Sequence, residues 1–228
     1  MDEAYWTSPI DLETPAGRML RKLAAALPPE RHYLITVFGS APLQITVDPA
    51  LLSGDVDLFS DSEDLVDWVT KAGLGMGQAD FYIQVCSGLN FRTSPKWAGR
   101  TRSAHVGNCE FRFPHPMDIL IGKLNRLDEK DLLAFRTVIA RTGHPAPDEM
   151  IRELQDAVDL FRPSFDEEQG HDIANNCRRL WRELWSRPDF DPRAEIIAPA
   201  LKRRREGYGE PTRDFKGELR EAALAYKA

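Results

Sequence analysis

Two short strings constrain this chain more than anything else in it: Val37-Phe38-Gly39-Ser40 and, after a gap of fourteen residues, Asp55-Val56-Asp57-Leu58-Phe59. The first closes a run from His32 to Phe38 that is rich in β-branched and aromatic residues, the composition of a buried strand. The second alternates acidic and apolar residues with a period of two, as a strand does when one face lies on a core. Asp55 and Asp57 therefore project from one face, with backbones roughly 6.6 Å apart by the rise of a strand. Carboxylates that close repel unless a cation lies between them. Magnesium suits such a pair, because it takes a few carboxylate oxygens, retained waters and phosphate oxygens. Two such ions clamp the attacking and leaving oxygens of an in-line phosphoryl displacement. Gly39 lets the backbone approach a ligand closely, and the Ser40 hydroxyl and neighbouring N–H groups can donate to phosphate oxygens. Alone, an Asp-x-Asp is usually a solvated strand edge and a Gly-Ser a turn; their combination next to apolar runs is what carries information.

Around these strings the pattern predicts a helix over 11–27, strands over 32–38, 55–60, 81–85 and about 109–113, and a short helix ending at Lys71 with Asp61 or Ser62 as N-cap. Residues 88–103 read as a long basic loop. After Pro114 and Pro116 the character changes to helices, at about 117–127, 129–141, 147–161, 167–185, 193–206 and 213–227, divided by prolines. The expected class is α+β: a small mixed sheet flanked by helices over 1–127, then an all-helical region over 128–228. With 42% hydrophobic and 29% charged residues in 228, the chain has material for a real core. Its longest apolar runs are far short of a bilayer span and its acidic start is unlike a signal peptide, so a soluble, cytoplasmic protein without a membrane partner is expected. Cys86, Cys109 and Cys177 form no CxxC pair and read as reduced, mostly buried thiols. A net charge of −6 gives no chain-wide attraction for nucleic acid, so such a partner needs a local basic patch.

The order helix, strand ending in Gly39-Ser40, then Asp55-x-Asp57 on the next strand resembles the nucleotidyltransferase superfamily of polymerase-beta type. A later segment, Pro114-His-Pro-Met-Asp118-Ile-Leu-Ile-Gly-Lys123-Leu-Asn-Arg126 followed by Glu129-Lys130-Asp131-Leu132, is similar to one branch of it. That branch holds the minimal nucleotidyltransferase-like proteins related to abortive-infection and type IV toxin–antitoxin toxins of bacteria. The resemblance covers roughly residues 30 to 135. It implies a nucleotidyltransferase core and transfer of a nucleoside monophosphate from an NTP to an acceptor hydroxyl. Under it, Gly39 and Ser40 bind the triphosphate, and Asp55 and Asp57 hold Mg²⁺ or Mn²⁺. Lys123 faces the nucleotide phosphates, and Asp131 sits in the same cleft, orienting Lys123 or substrate. Leu120, Leu124 and Leu127 form a stripe with Lys123 at its edge, which suits either a cleft or a snorkelling surface lysine.

Two departures stand out. The gap between Ser40 and Asp55 is long for the family. Active members often carry a third carboxylate on a later strand, where this chain offers Gln84 with Asp80 nearby, then Glu110; Glu110 is the expected third metal ligand, ahead of Asp80. The implied acceptor is tRNA or protein, and a cognate antitoxin is an implied partner. The alternative is a catalytically weak nucleotidyltransferase fold serving as a nucleotide-binding or protein-interaction module.

The loop holding Arg92, Lys96, Trp97, Arg100 and Arg102 could grip an RNA strand; the plainer reading packs Trp97 on the core and leaves the arginines solvated. Lys202-Arg203-Arg204-Arg205 is the densest basic cluster and suits a helix C-terminus. His32, His105, His115, His144 and His171 show no metal-ligand spacing, and the sequence gives them no role.

Overall fold

The computed structural model describes residues 5–6, 9–162 and 172–208. The helix expected over 213–227, the first residues of the one expected over 167–185, and His171 lie outside them. A five-stranded mixed sheet runs in the order β3-β2-β1-β5-β4, with β1 Tyr33–Phe38, β2 Asp55–Phe59, β3 Tyr82–Val85, β4 Arg102–Val106 and β5 Cys109–Phe113. β1 pairs antiparallel with β2 and parallel with β5; β2 and β3 are parallel, and β4 and β5 antiparallel. The fold is α+β. β4 begins inside the stretch 88–103 expected as a basic loop and runs on to Val106, with exposed Ser103 and His105 alternating with half-buried Arg102, Ala104 and Val106.

The two faces of the sheet bury different things. Tyr33, Ile35 and Val37 point to one side, into a core with helix α1 (Pro15–Ala26) and helix α3 (Leu65–Lys71). Thr14 caps α1 by accepting from Gly17 N–H at 3.1 Å, with Pro15 at the first turn. α3 starts at Leu65, later than expected, and neither Asp61 nor Ser62 caps it. Asp64 holds the cap position, but its carboxylate turns to Trp68 Nε1 (3.1 Å), Tyr33 and Arg31.

Phe38 points to the other side, into a core that also takes Leu43 of α2 (Ala41–Thr46) and most of α4 (Pro116–Lys123). The same core takes Leu132, Phe135 and Val138 of α5 (Glu129–Thr142), Met150 and Leu154 of α6 (Pro147–Asp156), and Cys177, Leu180 and Trp181 of α7 (Ile173–Trp185). Trp181 stacks on Phe190 with ring centroids 4.0 Å apart. A π-helical turn, Arg193–Ile197, leads into α8 (Ala198–Tyr208). One apolar cluster thus joins residues from both sides of position 127, and Leu127 itself is buried. No helix among the described residues is long and apolar enough to cross a membrane. Cys86, Cys109 and Cys177 are free thiols, Cys86 half-buried and the others buried.

Candidate active site

β1 ends in a sharp turn because Gly39 takes φ +70°, a left-handed value that favours glycine, and α2 begins two residues later. Phe38 is the cross-strand partner of Asp57, so this turn lies against the Asp57 carboxylate. A β-carbon at position 39 would stand 2.2 Å from Asp57 Oδ2. Only glycine leaves room for the acid.

The turn, both aspartates and α4 surround a cavity of about 350 Å³. Its walls include Gly39, Ser40, Asp55, Asp57, Lys123 and Asp131, six of the seven residues the sequence singled out. Lys123 is buried, with Nζ donating to Ser40 Oγ at 2.7 Å and to Asp131 Oδ1 at 2.9 Å. It is not a snorkelling surface residue. The buried Asp131 reaches it because α5 opens with a capping box: Asp128 accepts from Asp131 N–H at 2.9 Å, and Asp131 accepts from Asp128 N–H at 3.2 Å. The turn between α4 and α5 passes through Leu127 at φ 49°, a strained value for leucine. The Leu127 carbonyl there accepts from Arg179 Nη1 at 2.9 Å.

Glu110 stands elsewhere. β5 runs parallel to β1 with Glu110 beside Leu34, four residues before the Phe38 that faces Asp57. Four residues of strand put it about 13 Å down the sheet. Its carboxylate accepts instead from Ser103 Oγ at 2.9 Å and Arg112 Nε at 3.0 Å. Asp80 does not line the cavity either. The strand neighbour of Asp57 is Gln84, a neutral amide that also lines the cavity.

Electrostatics single out Asp57. Burial first, and then the negative charge of Asp55, push its carboxyl up to about 6, against the pull of Lys123 and Arg126. Burial and the same carboxylate charges push the Cys86 thiol, 3.9 Å from Asp57 Oδ1, up to about 11. A carboxylate this poorly compensated, beside a second one in an open cavity, fits a cation. The donors there are oxygens, from Asp55, Asp57 and the Gln84 amide, which suit a hard ion such as Mg²⁺ or Mn²⁺.

Asn90, Phe91, Arg92 and Arg126 also line the cavity. Arg126 bonds Asp131 through Nε at 3.2 Å, and its place three residues after Lys123, one helical turn on, was the available signal. Asn90 and Phe91 come from the long loop and carry none, and Arg92 stands out there only as one of its basic residues. That loop is tied to its neighbours. Thr93 Oγ1 donates to the Asp118 carbonyl at 2.6 Å, Asn125 Nδ2 to the Arg92 carbonyl at 3.1 Å, and Trp97 packs edge-on against Phe59 and Phe91. Arg100 is not solvated: it forks onto the buried Asp118 with two bonds of 2.7 Å and reaches Glu153 at 2.9 Å. In the 202–205 cluster, Arg204 forks onto Asp159, while Lys202 and Arg203 lie near Glu206 and Asp156.

No protein-family model matches the chain, and no curated protein or solved structure matches it either.

Proposed function

We propose that this protein is a metal-dependent nucleotidyltransferase that moves a nucleoside monophosphate from an NTP to an acceptor hydroxyl. The observation that carries the reading is the meeting, around one cavity, of the Gly39-Ser40 turn, the Asp55/Asp57 pair and the buried Lys123. Asp55 and Asp57 hold Mg²⁺ or Mn²⁺, which when bound supplies positive charge to the triphosphate and to the departing pyrophosphate. Gly39 leaves space for the phosphates. Ser40 and Lys123 donate to their oxygens, and Asp131 is a positioning residue that keeps the Lys123 ammonium at the turn. Arg92 and Arg126 add positive charge to the cavity wall. The acceptor oxygen bonds to the α-phosphorus as the bond from that phosphorus to the bridging oxygen of pyrophosphate breaks, and the hydroxyl proton passes to water. The resemblance favours tRNA or protein as acceptor, with a cognate antitoxin as partner. Three free thiols suit the reducing cytoplasm.

Label transfer tests the proposal. The protein is incubated with each α-labelled NTP, Mg²⁺ or Mn²⁺, and a mixture of total tRNA and cell protein. Label on an RNA or protein band, absent with Asp55→Ala/Asp57→Ala, is the expected result and names the acceptor class and base together. A second reading, a nucleotide-binding module with weak turnover, is favoured by Gln84, a neutral amide where a third acid would stand. A nucleotide-induced thermal shift without label would select it. Neither label nor shift would end both readings.

A further inference from the structure

The residue that left the cavity, Glu110, lies in a second cluster of metal-ligand chemistry. Leu34, its neighbour on β1, has the same strand parity as Phe38, so Glu110 shares the sheet face of Asp57 but lies toward the opposite end of β1. Directly across from it on β4 is His105, and His32 immediately precedes β1. One donor atom from each of the three lies within 4.8 Å of the others. We infer that His32, His105 and Glu110 form a surface site for a borderline-soft divalent transition metal of the Zn²⁺ type.

The donor set is the first argument. Two imidazoles and a carboxylate match zinc, whereas magnesium and calcium ask for oxygens throughout. Placement is the second. His105 and Glu110 are register partners in an antiparallel ladder, so their backbones are fixed opposite one another, and the chain at His32 is held by Tyr33 N–H donating to the Asn108 carbonyl at 3.0 Å. Bonds of zinc length set donors roughly 3.4 Å apart, a gap that rotation of the exposed histidines closes. Vacant valence is the third. Ser103 and Arg112 both bond Glu110 Oε1, which orients the carboxylate and leaves Oε2 to an ion. No hydrogen bond or ion pair among the described residues claims either imidazole. The Arg112 guanidinium opposes a cation and sets the affinity lower than that of a buried site. Three protein ligands at the surface leave a position for water. The inference does not rest on nucleotidyl transfer and stands or falls apart from it.

Zn²⁺ titration of the full chain, read by competition with a chromophoric chelator, tests it. One equivalent is expected to bind and to resist a large excess of Mg²⁺. His32→Ala/His105→Ala should weaken it by about tenfold or more, with unchanged far-UV circular dichroism. Asp55→Asn/Asp57→Asn should leave it in place. Should the double histidine variant misfold, Glu110→Gln with both rings intact gives the same reading. Absence of Zn²⁺ binding, binding indifferent to these changes, or binding lost instead with Asp55 and Asp57, overturns the inference.

Discussion

Helix α4 carries two buried ion pairs, one near each end, and they differ in what they leave unused. At its start both oxygens of Asp118 accept from Arg100, through Nε and Nη2, and Nη2 also donates to Glu153. Burial pulls the Arg100 proton affinity down, but its bonds to Asp118 and Glu153 leave it raised overall. At its end Lys123 uses two of three N–H groups, on Ser40 and Asp131, and stands in the cavity wall. A closed pair clamps the 91–101 loop onto α4. An open pair keeps a charge in the cavity wall. Access to the cavity, more than burial or charge, separates the candidate site from its scaffold: Lys123 and Asp131 line it, and Arg100 and Asp118 do not.

The largest effect should come from the closed pair. Arg100→Ala strands the fully buried Asp118 carboxylate, and urea unfolding should show a loss of about 3–5 kcal/mol. A mutant within about 0.5 kcal/mol of the parent would mean that the clamp is ornamental. Next comes the cavity acid. Because the Asp57 carboxyl titrates near 6 when folded and near 3.8 when unfolded, the native state binds its proton more tightly. Its burial therefore costs stability as pH rises from about 4 to 6, and the cost persists above that window. Asp57→Asn in chelator should raise stability at pH 8 by up to about 3 kcal/mol and change little at pH 4. A gain equal at both pH values would remove the ionisation argument. The smallest stability effect belongs to the open pair. Without Lys123, Asp131 keeps Arg126 and the Asp128 N–H, so Lys123→Gln should cost only about 1 kcal/mol. Label transfer should nonetheless fall on the order of a hundredfold. A cost as large as that of Arg100→Ala would erase the distinction between the two pairs.

What the sequence made legible was local. Gly39-Ser40 and Asp55-x-Asp57 could be placed because a turn and a strand each define their own geometry within a few residues. Lys123 and Asp131 were found through the resemblance, while the Asp128–Asp131 capping box that joins them went unread. Glu110 was misplaced because the register of β5 on β1 is a tertiary fact: a strand carrying an acid says nothing of how far down the sheet that acid will stand. Arg100 was read as solvated because nothing near it in sequence announces Asp118 and Glu153. β4 was missed because one of its faces is wet and its alternation is weak.

The cavity takes Lys123 from one side of position 127 and Asp131 from the other, across a buried leucine in a left-handed turn whose carbonyl is tied down by α7. A linker could be lengthened or exchanged; this crossing is a hinge pin. A chain truncated at Leu127 would leave Lys123 without the Asp131 carboxylate and strip cover from Phe38, Leu43 and Leu120. The cavity and the helical region thus share one core and one ion pair across this turn.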